Sequence, residues 1–160
     1  MVLTLLAAGC GGGETAPITA TSVPPASTAT VTTTTAQATV PTGFPEIEIV
    51  VGGETWRVAL AESPELRSRG LMGVTDLGGL RGMLFAWEAD VESGFWMKDT
   101  LIPLDIAFFT AEGALVDLLS MVPCDADPCP SYRPAGPYRR ALEVPRGGFD
   151  HLGTIDLAVP

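Results

Sequence analysis

The charges of this chain begin late, and that limits what can fold. Among its first 44 residues the one charged side chain is Glu14, and the first aromatic is Phe44. All nine Lys and Arg residues lie at Arg57 or beyond. From Gly11 to Phe44 the sequence is dominated by Thr, Ala, Ser and Pro. Such a composition buries too little apolar surface to offset the entropy lost on ordering, so residues 11–44 are predicted to be a disordered tether. A core must come from residues 45–160, and roughly 115 residues suffice for one domain without a metal staple.

Ahead of the tether, residues 1–10 read MVLTLLAAGC, a short apolar stretch ending in small residues, as at the end of a signal peptide. Leu6-Ala7-Ala8-Gly9-Cys10 resembles a bacterial lipobox, in which the signal is cut before a cysteine that is then acylated. On this reading residues 1–10 are a signal remnant and Cys10 is the lipidation site. The stretch is short and carries no Lys or Arg, so the true start is expected upstream. The expected setting is extracytoplasmic, with the mature chain held to the membrane by lipid alone. No run approaches the roughly 20 apolar residues of a spanning helix.

Of the nineteen acids, all but Glu14 lie beyond residue 45, so the domain carries eighteen acids against nine bases. That balance argues against nucleic-acid partners, which favour basic patches. Within the domain, Ile47, Ile49 and Val51 alternate with neighbours of the opposite face. Gly52-Gly53 supplies the positive φ of a two-residue turn, and Trp56, Val58 and Leu60 resume the alternation, which predicts a β-hairpin. Ser63-Pro64-Glu65 predicts an N-capped short helix that ends at Gly70 or Gly73. Further strands are expected over 83–87, 95–99, 104–110, 114–122, 139–144 and 155–159, with Glu112-Gly113 as a tight turn. The expected fold is mainly β, an antiparallel jelly-roll-like sandwich or barrel with one or two short helices.

Four blocks, RGLM (Arg69–Met72), GMLFAW (Gly82–Trp87), FWMKDTLIPLDIAFF (Phe95–Phe109) and ALEVPRG (Ala141–Gly147), closely resemble the bacterial and archaeal "domain of unknown function 192" family. The resemblance spans 45–159 and implies a mainly β, jelly-roll-like sandwich. It implies no activity, substrate, cofactor or catalytic residue. Family members usually carry Gly-Asp before the last strand, where this chain has Ile155-Asp156.

Three groups of residues could carry chemistry. Alternation over 101–110 puts Asp105 among apolar side chains, where a carboxylate needs a partner: Lys98, Arg67, Arg69 or loop N–H groups. Trp96, Lys98 and Thr100 fall on one predicted strand face, a plausible floor for a polar ligand. Cys124 and Cys129 are expected to pair as a disulfide. Two cysteines and the distant His151 fall short of a zinc ligand set, and Asp125 and Asp127 of a calcium loop, so no metal or cofactor is expected.

The leading expectation is therefore a non-catalytic envelope module that binds a small polar ligand, glycan or protein partner through Trp96, Lys98, Asp105 and Arg67. The alternatives are an envelope hydrolase or lyase with Asp105 as acid or base, and a structural or assembly protein of the envelope.

Overall fold

The computed structural model describes residues 41–160. The signal remnant, Cys10 and nearly all of the tether lie outside the described residues. The predicted hairpin forms as β1 (Glu46–Val51) and β2 (Glu54–Ala61), with Gly52 and Gly53 at φ 55° and 84°. The predicted helix follows as α1 (Pro64–Arg69); the Ser63 hydroxyl accepts from the Leu66 N–H, and Gly70 ends the helix. Then come β3 (Met83–Val91), β4 (Phe95–Trp96), β5 (Leu104–Phe109), β6 (Leu115–Met121), β7 (Ser131–Tyr132), β8 (Tyr138–Pro145) and β9 (Leu157–Ala158).

Seven strands form one curled sheet in the order β6-β5-β8-β3-β2-β1-β9, and β4 pairs with β7 in a separate two-stranded sheet. The class is mainly β, as expected. Most pairs are antiparallel, and the exception is β2 with β3, which run parallel because α1 and the segment after it carry the chain back across. Two expected strands are shorter. The one over 95–99 stops at Trp96, and the last contains only Leu157 and Ala158. The short strand β7 was not foreseen, because its two residues leave no periodicity to read.

Both faces of the sheet are covered, so β5, with the sequence LDIAFF, is buried at all six positions. Leu104, Ile106 and Phe108 join Phe85, Met97 and Tyr138 in one cluster, together with Leu71, Val74 and Leu77 from the segment after α1. Ala107 and Phe109 join Trp56, Leu142, Val144 and Phe149 in the other. The two-residue period of the strand assigns alternate side chains to opposite cores.

The β5–β6 turn is fixed by Gly113, at φ 87°, whose carbonyl accepts from the Leu157 N–H at 2.9 Å. A Cβ at this position would stand 1.7 Å from the Leu157 carbonyl oxygen. Gly113→Ala should therefore detach β9 and destabilise the domain by about 2 kcal/mol, read by chemical denaturation. Loss of exchange protection at Leu157 would localise the change, and wild-type stability would contradict this account of the turn.

Candidate functional site

A lone acid occupies the middle of β8. Glu143 is paired across the ladder with Met83 of β3 and Ile106 of β5, both fully buried. Its neighbours Leu142 and Val144 point into the Trp56 cluster, so Glu143 points to the opposite face. Only 4% of it is exposed, and among the described residues its carboxyl has no ion-pair or hydrogen-bond partner. Removal from water pushes its pKa up from 4.5 to about 8. The group is therefore neutral at pH 7.

The space in front of it is a cavity of about 40 Å³, room for roughly three waters. Arg67, Arg69, Leu71 and Met72 form one wall, Phe85 and Phe95 another, and Trp96, Thr100 and Glu143 complete the lining. Phe95 is locked edge-on against Phe85 at 5.0 Å between ring centres. Trp96 follows it on a short strand and is 53% exposed at the rim. After Met97 the chain turns at Asp99, whose φ of 54° is left-handed and tolerated better by Asp than by most residues. This turn brings Thr100 back to the cavity, where it is buried and its hydroxyl donates to the Lys98 carbonyl at 3.4 Å.

Of the four residues expected to bind a ligand, Trp96 and Arg67 meet at this cavity and the other two do not. Arg67 donates to the carbonyl oxygens of Glu62 and Ala86 and lies 5.2 Å over the Trp87 ring. Lys98 stays beside Trp96, but the turn at Asp99 parts both from the expected arrangement, with Thr100 at the cavity and Lys98 outside it. Its ammonium sits 5.7 Å over the Trp96 ring, beside a second hollow lined by the loop 124–129. Trp96 stands between the two hollows and lines both.

Asp105 lies apart from the other residues of the expected binding face. It is 7% exposed and belongs to the sheet face opposite Glu143. The Ser120 hydroxyl donates to one of its oxygens at 2.6 Å and the Gly147 N–H to the other at 2.7 Å. Its partners are therefore a hydroxyl and a loop N–H, and not Lys98, Arg67 or Arg69. With both oxygens engaged in the core, Asp105 ties the β8–β9 connection to β5.

Cys124 and Cys129 are joined by a disulfide. Among the described residues no three His, Cys, Asp or Glu side chains gather as a metal site. His151 is exposed, 3.2 Å from the Glu54 carboxylate and stacked near Trp56. The Trp56 indole and His151 hold the Glu54 pKa below its ordinary value. No described helix is long and apolar enough to cross a membrane.

The sequence reading missed Glu143 as a site residue, although a signal was present. Ala141 and Glu143 share a strand face, and Ala-Leu-Glu-Val reads as a strand buried on both faces, so the acid stands where water is excluded.

Comparison with known proteins gives a family and a fold. The DUF192 family model, described as an uncharacterized ACR, matches residues 47–156. A crystal structure of a protein of unknown function from Novosphingobium aromaticivorans DSM 12444 is 29% identical, with a TM-score of 0.65 over 79% of this chain and 94% of that one. A second, from Sinorhizobium meliloti 1021 and described as a candidate transcription regulator, is 26% identical, with a TM-score of 0.62 over 72% of this chain and 94% of that one. No curated protein matches.

Proposed function

We propose, on the premise that this chain belongs to the uncharacterized DUF192 family, that its β domain is a non-catalytic binding module for a small polar ligand. The ligand enters the cavity beside Trp96, and a lipid on Cys10 holds the domain outside the membrane. One observation carries the binding reading: a buried carboxyl without a partner opens into a cavity rimmed by an exposed tryptophan. Burying a polar group without a hydrogen bond costs free energy that packing alone would select against. An exposed aromatic beside such a group is a common arrangement for recognition. The hydrolase or lyase reading has less support, because both Asp105 oxygens already accept hydrogen bonds.

A thermal-shift screen of the full chain against sugars, cell-wall fragments, nucleotides and small organic acids tests this reading. A ligand at one hundred times its dissociation constant adds about 2.7 kcal/mol. Trp96→Ala should abolish the shift while its own stability stays within about 0.5 kcal/mol of wild type, since the side chain is largely exposed. Retention of the shift in that variant would place binding elsewhere. Anchoring is tested by expression of the full chain in bacteria. The wild-type chain should fractionate with membranes and Cys10→Ser should be released; equal membrane retention would contradict lipidation.

A further inference from the structure

The chemistry of the cavity narrows the ligand class, and this step rests on reading the cavity as a binding site. The charged groups around Glu143 come from one element. Helix α1 contributes Arg67 and Arg69 to the wall, while its acid Glu65 lies outside the lining. The flanking strands β3 and β5 bring apolar side chains to that face, with Met83, Phe85 and Ile106 nearest, and β4 and the turn after it bring Phe95, Trp96 and Thr100. Neither arginine forms an ion pair among the described residues. Arg67 is held by two carbonyls and the Trp87 ring, and Arg69 by the Gly43 carbonyl and the Phe44 ring at 4.0 Å. In a domain with twice as many acids as bases, this wall has two cations and one buried carboxyl.

Three kinds of polar group could fill the space. An ammonium would need Glu143 ionised against the cost of its burial and would face two like charges. A neutral hydroxyl would make no use of the arginines. An anion gains from both cations, and a carboxylic acid beside a carboxylate shares one proton in a short, charge-assisted O–H···O⁻ bond. A carboxylate group has three heavy atoms, comparable with the roughly three waters the cavity admits.

We infer that the ligand is a small organic carboxylate, whose carboxylate accepts a hydrogen bond from the Glu143 carboxyl inside the cavity within the field of Arg67 and Arg69, while its body lies on Trp96. Binding in this mode requires the proton on Glu143. Affinity is therefore level above the ligand's own carboxyl pKa of about 4 and falls by about tenfold per pH unit once the Glu143 proton is lost. Burial places the loss at about pH 8 in the free protein.

Phenylacetate, phenylacetamide and phenethylamine share one shape and differ in the charge presented to the cavity. Each is titrated into the full chain by NMR, read at the Trp96 indole N–H, at pH 6 and pH 9. The expected result is phenylacetate at least about tenfold tighter than either analogue at pH 6, and weakened by about tenfold or more at pH 9. Glu143→Gln, whose amide still donates, should bind phenylacetate within a few-fold of wild type at pH 6 and lose most of the weakening. If that variant does not fold, the wild-type ligand order and pH dependence decide. Preference for phenethylamine, equal binding of all three, or phenylacetate affinity that rises with pH would overturn the carboxylate assignment and leave the binding reading standing. Failure of all three to perturb Trp96 at millimolar concentration would overturn both.

Discussion

Glu143→Gln should raise the unfolding free energy by about 5 kcal/mol at pH 9 and change it little at pH 4. Each pKa unit of difference between folded and unfolded states is worth about 1.4 kcal/mol, and the carboxyl moves from 4.5 to about 8 on folding. Between these values the folded protein keeps a proton that the unfolded chain has released. The wild-type contribution is fully present below about pH 4.5, falls as pH rises, and levels off above about pH 8. A glutamine stays neutral throughout and lacks this slope. The difference at pH 9 corresponds to a rise in melting temperature on the order of 15 °C for a domain of this size. Urea denaturation of both proteins from pH 4 to pH 9 measures it, and parallel curves would show that Glu143 is solvated or paired. The sign is unusual, since most carboxylates stabilise a fold as pH rises. Here a buried acid is retained against stability, which is the pattern expected of a functional site.

Asp105 should behave in the opposite way. Asp105→Ala removes the acceptor for both the Ser120 hydroxyl and the Gly147 N–H, and leaves that half-buried N–H without its partner. Hydrogen bonds to charged groups contribute about 1.5–3 kcal/mol each, so the expected loss is about 4 kcal/mol. Asp105→Asn keeps one acceptor oxygen, and the serine hydroxyl can reorient to accept from the new amide, so about 2 kcal/mol is expected. Ligand binding at the Trp96 cavity should persist in the asparagine variant, because Asp105 lies on the other face of the sheet. If Asp105→Ala folded with wild-type stability, or if Asp105→Asn lost ligand while remaining folded, the structural assignment would be wrong.

The local fold was largely legible in the sequence, because its signals act over a few residues. The Gly52-Gly53 turn needs positive φ, and Ser63-Pro64 is a capping sequence whose bond to Leu66 forms as expected. Alternation through β5 correctly divided Leu104, Ile106 and Phe108 from Ala107 and Phe109. The same alternation failed over 95–100, because it assumed an extended chain. Asp99 adopts a left-handed backbone that no periodicity announces, and Lys98 is carried away from Thr100.

The site was less legible because long-range pairing makes it. Trp96 and Arg67 were identified from their own chemistry, but nothing local joins α1 to β4. Asp105 was recognised as a buried acid, and its true partners sit 15 and 42 residues away. Glu143 has an apolar neighbour on each side in the chain, as Asp105 has, and no local feature shows that other strands flank its own on both sides. Only the sheet order places β8 between β5 and β3, with the acid at the centre.

The most direct measurement is the pH titration of the Glu143 side-chain carboxyl carbon by ¹³C NMR in the full chain, assigned by comparison with Glu143→Gln. A midpoint near pH 8 is predicted, as for a carboxyl removed from bulk water and without an ion-pair partner. A midpoint near the ordinary value of 4.5 would mean that the carboxyl is solvated or paired, and the cavity would lose the feature on which its assignment as a binding site rests.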